Sequence, residues 1–136
     1  MMRWYELFED DMGKAHADIN LFEMANLEPS QTGIVGTIYI STQQGRHGPR
    51  VKYFAGRPGN SQPSMVVSVG PEPLVMINDL PNRVRTKMEP IVKQWVTLNH
   101  IGLHKFWYEG NTWYKSEVDA FIAGLTKWTP NKESGI

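Results

Sequence analysis

The chain has 136 residues, fourteen Lys and Arg against fourteen Asp and Glu, 40% hydrophobic and 11% aromatic side chains, and no cysteine. That length fits one domain, and the apolar share is enough for a core, which excludes a disordered chain, a fibrous repeat and a strongly basic histone-like protein. Without cysteine there are no disulfides, thiolate zinc sites or cysteine nucleophiles, and no apolar run reaches the ~18 residues of a membrane span.

Charge is unevenly spread. Residues 1–30 hold Glu6, Glu9, Asp10, Asp11, Asp18, Glu23 and Glu28 against Arg3 and Lys14. These acids interrupt any signal-peptide core, so a cytoplasmic setting is expected. Trp4, Leu7 and Phe8, then Ala15, Ile19 and Phe22, recur at helical spacing on either side of Gly13, which reads as two short helices or a helix and a strand. Glu28-Pro29-Ser30 ends the segment, because proline disfavours helix in the residue before it. From 31 to 63 the balance reverses, with Arg46, Arg50, Lys52 and Arg57 and no acid. The two segments either face each other, or the basic one is a patch for an anionic partner.

The middle of the chain is β-like. The run Ile34-Val35 with Thr37 to Ile40 is β-branched and aromatic and of strand length. Val51–Ala55, Met65–Val69 and Leu74–Ile77 are further strands, separated by loops at 43–49 and 57–63 and by Gly70-Pro71-Glu72-Pro73. Short connections favour an antiparallel meander. The last third is helical. Met88, Val92, Trp95, Val96, Asn99, Leu103, Phe106 and Trp107 share one face, and Pro90 suits a first turn, so the helix is expected to begin near 87–89 and to close at Gly110-Asn111. Gly102 reads as a bend in it. Ser116 with Asp119 reads as the start of a second helix carrying Val118, Phe121, Ile122 and Leu125. Residues 131–136 read as a flexible tail. Together these parts predict a single α+β domain over 1–136, an antiparallel sheet of three to four strands packed by C-terminal helices.

The order of parts carries a resemblance. Arg46-His47-Gly48-Pro49-Arg50-Val51-Lys52 enters a strand, Met65-Val66-Val67-Ser68-Val69 follows, and the helix reads Trp95-Val96, Asn99, Leu103, Trp107. This resembles, over about 45–110, a widespread group of small bacterial proteins of unknown function. Their pattern is a His-containing loop entering a strand, then a Trp-Val/Ile-x-x-Asn-x-x-x-Leu-x-x-x-Trp helix. Many members sit beside small partner proteins in toxin–antitoxin-like pairs, so the resemblance implies a protein that acts by binding. In the loop, only His47 remains, and Arg50 and Lys52 stand where other members carry histidines.

The loop 43–52 is the expected site. Gly45 and Gly48 free the backbone, Pro49 stiffens it, and Arg46, His47, Arg50 and Lys52 supply donors suited to phosphate oxygens or carboxylates, with Arg57 further along. Lys52 shares a strand face with Arg50. Arg83, Arg85 and Lys87 would extend a positive strip if they fold beside this loop. Trp113 and Tyr114 fall in a loop and offer a partner surface. His100 and His104 lie four apart on the helix but lack a third ligand, so no metal and no cofactor is expected.

The leading expectation is a non-enzymatic bacterial interaction protein of toxin–antitoxin or mobile-element type, binding a protein partner, or RNA or DNA at the basic loop, and no membrane. The alternative is a small metal-free ribonuclease-type toxin. In that reading His47 moves the proton, Arg46, Arg50 and Lys52 stabilise the phosphorane charge, and Tyr53, Glu89 or His104 is the second proton carrier.

Overall fold

The computed structural model describes residues 23–43 and 45–130. The elements expected around Trp4–Phe8 and Ala15–Phe22, and the tail 131–136, lie outside the described residues. Within them, five strands follow in chain order: β1 (Met24–Leu27), β2 (Thr37–Ser41), β3 (Arg50–Phe54), β4 (Met65–Ser68) and β5 (Val75–Asn78). Each pairs antiparallel with the next, so the expected meander is present with five strands rather than three or four. The added strand is β1. Its sequence has no β-branched residue, and it becomes a strand because β2 offers an edge, with Met24 opposite Ser41 and Leu27 opposite Ile38. A four-residue helix, α1 (Pro29–Thr32), connects β1 to β2.

The strand expected from Ile34 begins only at Thr37. Gly33 (φ 81°) and Gly36 (φ 103°) both adopt left-handed backbone and turn the chain between them. A Cβ on Gly36 would meet the Phe54 carbonyl oxygen at 2.5 Å, so β2 enters the sheet against β3 only because that residue has no side chain.

Side chains alternate across the sheet with period two. Ile38 and Ile40 of β2, Val51 and Tyr53 of β3, and Met65 and Val67 of β4 point to one face and are buried in the core cluster. Tyr39, Lys52, Val66 and Ile77 stand opposite one another in a row on the other face.

The long helix α2 (Asn82–Glu109) covers the core face with the eight residues expected of it, Met88 to Trp107, all buried. It starts at Asn82 rather than near 87–89, and Pro90 lies inside it. Proline removes the hydrogen bond to Thr86, and both residues are on the exposed side of the helix, where that loss is least damaging. The helix runs on through Gly102. A Cβ there would meet the Phe121 ring at 3.1 Å, so the glycine makes room for a neighbouring helix rather than a bend.

After a 3-10 turn (Gly110–Thr112) comes α3 (Lys115–Ala123). It begins one residue before Ser116: the Glu117 carboxylate accepts the Tyr114 N–H at 2.8 Å, while Asp119 pairs with Lys115 at the surface. Trp113 is not a free loop aromatic. It packs on Phe106 and Phe121, with ring centres 5.8 and 5.6 Å away. No helix among the described residues is long and apolar enough to cross a membrane.

Asn99 fastens the C-terminal segment. Its amide donates to the Trp95 carbonyl at 3.0 Å and to the Thr126 carbonyl at 2.9 Å, and its oxygen accepts the Thr126 N–H at 2.8 Å. The distant partner is therefore Thr126, and Trp128 donates its backbone N–H to the Thr32 carbonyl, closing the fold onto α1. Replacing Asn99 with Leu keeps the branched shape and leaves Thr126 unpaired. The expected cost is about 1–3 kcal/mol, read as a lower urea midpoint; an unchanged midpoint would remove the clamp from the account.

Candidate functional site

Strand β3 leaves the 43–49 loop with Arg50 and Lys52 on the face opposite Val51 and Tyr53. The loop itself is tied to the far end of α2, because the Gln43 N–H donates to the Trp107 carbonyl at 2.8 Å. His47 lies against the Trp107 indole, ring centres 5.3 Å apart. Its Nδ1 is 3.0 Å from the Gly48 carbonyl oxygen. A carbonyl only accepts, so Nδ1 carries the hydrogen and Nε2 is the acceptor in the neutral ring.

Beside these contacts lies a half-open cavity of about 270 Å³ lined by Tyr39, Ser41, His47, Arg50, Val51, Lys52, Val66, Ile77 and Trp107. Three of the five expected binding residues, His47, Arg50 and Lys52, therefore meet in one place. Arg46 is exposed and outside the lining. Arg57 lies beyond the other end of β3, beside Val35, Gly36 and Pro58. The run of β3 alone separates its two ends by about 13 Å at 3.3 Å per residue.

The cavity has an unusual hydrogen-bond balance. Among the described residues, the buried side-chain atoms without a partner are Arg50 Nε, Arg85 Nε, Trp95 Nε1 and Trp107 Nε1. Two of these four N–H donors, on Arg50 and Trp107, belong to residues that line this cavity. Trp107 is 2% exposed. No carboxylate is among the described lining residues beside Arg50 and Lys52. A wider groove of about 960 Å³ runs between α2 and residues 126–130, but its one indole N–H, on Trp128, is already donated to Gln94 at 2.8 Å.

The second proton carriers named for ribonuclease chemistry do not line the cavity. Tyr53 is in the core and donates its hydroxyl to the Val35 carbonyl at 2.7 Å, and burial pushes its pKa above the ordinary phenol value. Glu89 accepts from Asn78 Nδ2 at 2.8 Å, about 27 Å along α2 from Trp107 at 1.5 Å per residue. His104 packs on Tyr108. The strip expected from Arg83, Arg85 and Lys87 does not reach the loop either. These residues occupy the first turns of α2, and Arg85 is about 33 Å along the helix from Trp107. Among the described residues no group of three or more His, Asp or Glu is placed to hold a metal ion.

Trp107 is the residue that sequence reasoning assigned only to the core. It is buried, but outside the main core cluster, and it forms a wall of the cavity. Its place on the last helical turn is visible in the pattern, but the loop that folds over it is not. Comparison with family models, with curated proteins and with solved structures finds no match for this chain.

A half-buried guanidinium with an unpartnered Nε works against stability. Arg50→Met retains the aliphatic stem and removes the donor. The variant is expected to be more stable by about 1 kcal/mol, seen as a higher denaturant midpoint with an unchanged slope. A loss of stability of that size would mean that Arg50 serves the fold rather than a ligand.

Proposed function

We propose that this chain is a small bacterial interaction protein of toxin–antitoxin or mobile-element type, acting in the cytoplasm by binding a partner at the His47–Arg50–Lys52 cavity. The observation that carries the reading is the pair of unpartnered N–H donors, on Arg50 and Trp107, among residues that also include Lys52 and no described carboxylate. Donors kept out of water without a partner cost stability, and such exceptions gather where a ligand completes them. The size of the cavity points the same way. At about 270 Å³ it lies just under the roughly 300–1,000 Å³ typical of whole small-molecule sites, so it suits one group of a larger partner.

The resemblance of the Trp95–Asn99–Leu103–Trp107 helix and the His47 loop to toxin–antitoxin-associated proteins supports an activity by binding. The ribonuclease alternative has His47 with an acceptor Nε2, but Tyr53, Glu89 and His104 do not line the cavity. General acid–base cleavage needs two proton carriers within reach of the scissile phosphate, and this reading lacks the second among the three named.

The test is capture from bacterial lysate with the full chain as bait, with and without nuclease treatment. The wild type is expected to recover one protein species regardless of nuclease. Arg50→Ala/Lys52→Ala should lose it, and Arg46→Ala, outside the cavity, should retain it. RNA cleavage by the purified protein, abolished by His47→Ala, would replace this reading with the ribonuclease.

A further inference from the structure

Building on the binding role proposed for this cavity, we infer that its ligand is a phosphomonoester dianion carried by a side chain of a protein partner. Three features of the lining select that group. The first is charge. Arg50 and Lys52 stand two residues apart on one strand face and both line the cavity, with no described carboxylate beside them. A phosphorylated side chain brings about −1.5 to −2 charge at neutral pH and matches two cations, whereas a carboxylate or a backbone phosphodiester brings one.

The second feature is the donor set. Arg50, Lys52, Trp107 and Ser41 line the cavity from two strands and a helix, and the Nε of Arg50 and the Nε1 of Trp107 are buried without partners. Donors from separate elements suit three tetrahedral oxygens better than the two coplanar oxygens of a carboxylate. The third is the absence of a track. Arg46 and Arg57 lie outside the cavity, and Arg83, Arg85 and Lys87 are carried to the far end of α2. Tyr39 and Phe54 are the strand aromatics on this face of the described sheet, and Phe54 is buried, so Tyr39 alone is accessible for stacking. A nucleic-acid strand needs successive cations and stacking surfaces, so a single phosphate on a protein side chain is the better match.

The probes are inorganic phosphate, a short phosphoserine peptide, a 5′-phosphorylated oligonucleotide and acetate, titrated into the ¹⁵N-labelled full chain. Two cross-peaks report directly: the Trp107 indole N–H and the Arg50 Nε–H. The Trp95 indole, buried in the core, is the internal control for an intact fold. Phosphate and the phosphopeptide should shift both reporters saturably and leave Trp95 unmoved. Acetate should bind about tenfold more weakly or worse, since it meets the two cations with half the charge. Lys52→Gln should weaken phosphate by a similar factor with the Trp95 signal in place, and Lys52→Arg should restore most of it.

Acetate binding as tightly as phosphate would overturn the dianion while leaving an anion-binding cavity. The oligonucleotide binding more tightly than the phosphopeptide would overturn the protein source of the phosphate. Linear, unsaturable shifts with every anion would overturn both this inference and the binding role of the cavity.

Discussion

The period-two alternation of β3 is the constraint on which the rest depends. Val51 and Tyr53 must reach the core under α2, so Arg50 and Lys52 must face the other way, whatever the cost of placing two cations side by side. A slip of one residue would send both charges into the core and the two core side chains out of it. The register is held on both flanks, by Tyr39 opposite Lys52 on β2 and by Val66 opposite Lys52 on β4. The Tyr53 hydroxyl, donated to the Val35 carbonyl, adds a polar lock that only one register satisfies.

The helix turns this strand face into a site. The loop after β2 is fastened by its Gln43 N–H to the carbonyl of Trp107, and His47 settles over the indole. Trp107 thereby joins Arg50 and Lys52 at one cavity. The position of α2 is set in turn by its buried face and by Asn99, whose amide holds Thr126 in place. Core packing, clamp and cavity are thus successive consequences of one amphipathic helix laid across one meander. Of the four buried donors left without partners among the described residues, two, on Arg50 and Trp107, belong to residues at the basic cluster.

Much of this is legible in the chain. The eight buried residues of α2 repeat at helical spacing, and the four strands from β2 to β5 are β-branched runs separated by Gly and Pro, so sheet, helix and meander follow from local pattern. What is not legible depends on contacts distant in sequence. Met24-Ala25-Asn26-Leu27 has no strand signal of its own and is recruited by the free edge of β2. Gly33 and Gly36 shorten β2 because Trp128 and Phe54 approach them, which no local pattern reveals. In the candidate site, the shared face of Arg50 and Lys52 is a matter of alternation and can be read directly. The exclusion of Arg46 and Arg57, and the second role of Trp107, depend on where the loop folds back. The apparent reach of Arg83 to Lys87 toward the loop comes from starting α2 five or more residues late. Once those residues are inside the helix, its length separates them from the cavity.

The central claim is that Arg50 and Trp107 are held together with donors that no described residue pairs. A high-resolution crystal structure of the full chain tests it most directly. The account predicts Arg50, Lys52 and Trp107 around one cavity, with no acceptor from the protein on Arg50 Nε or on the Trp107 indole N–H. A carboxylate of the same chain paired to Arg50, or Lys52 turned toward α2, would contradict it.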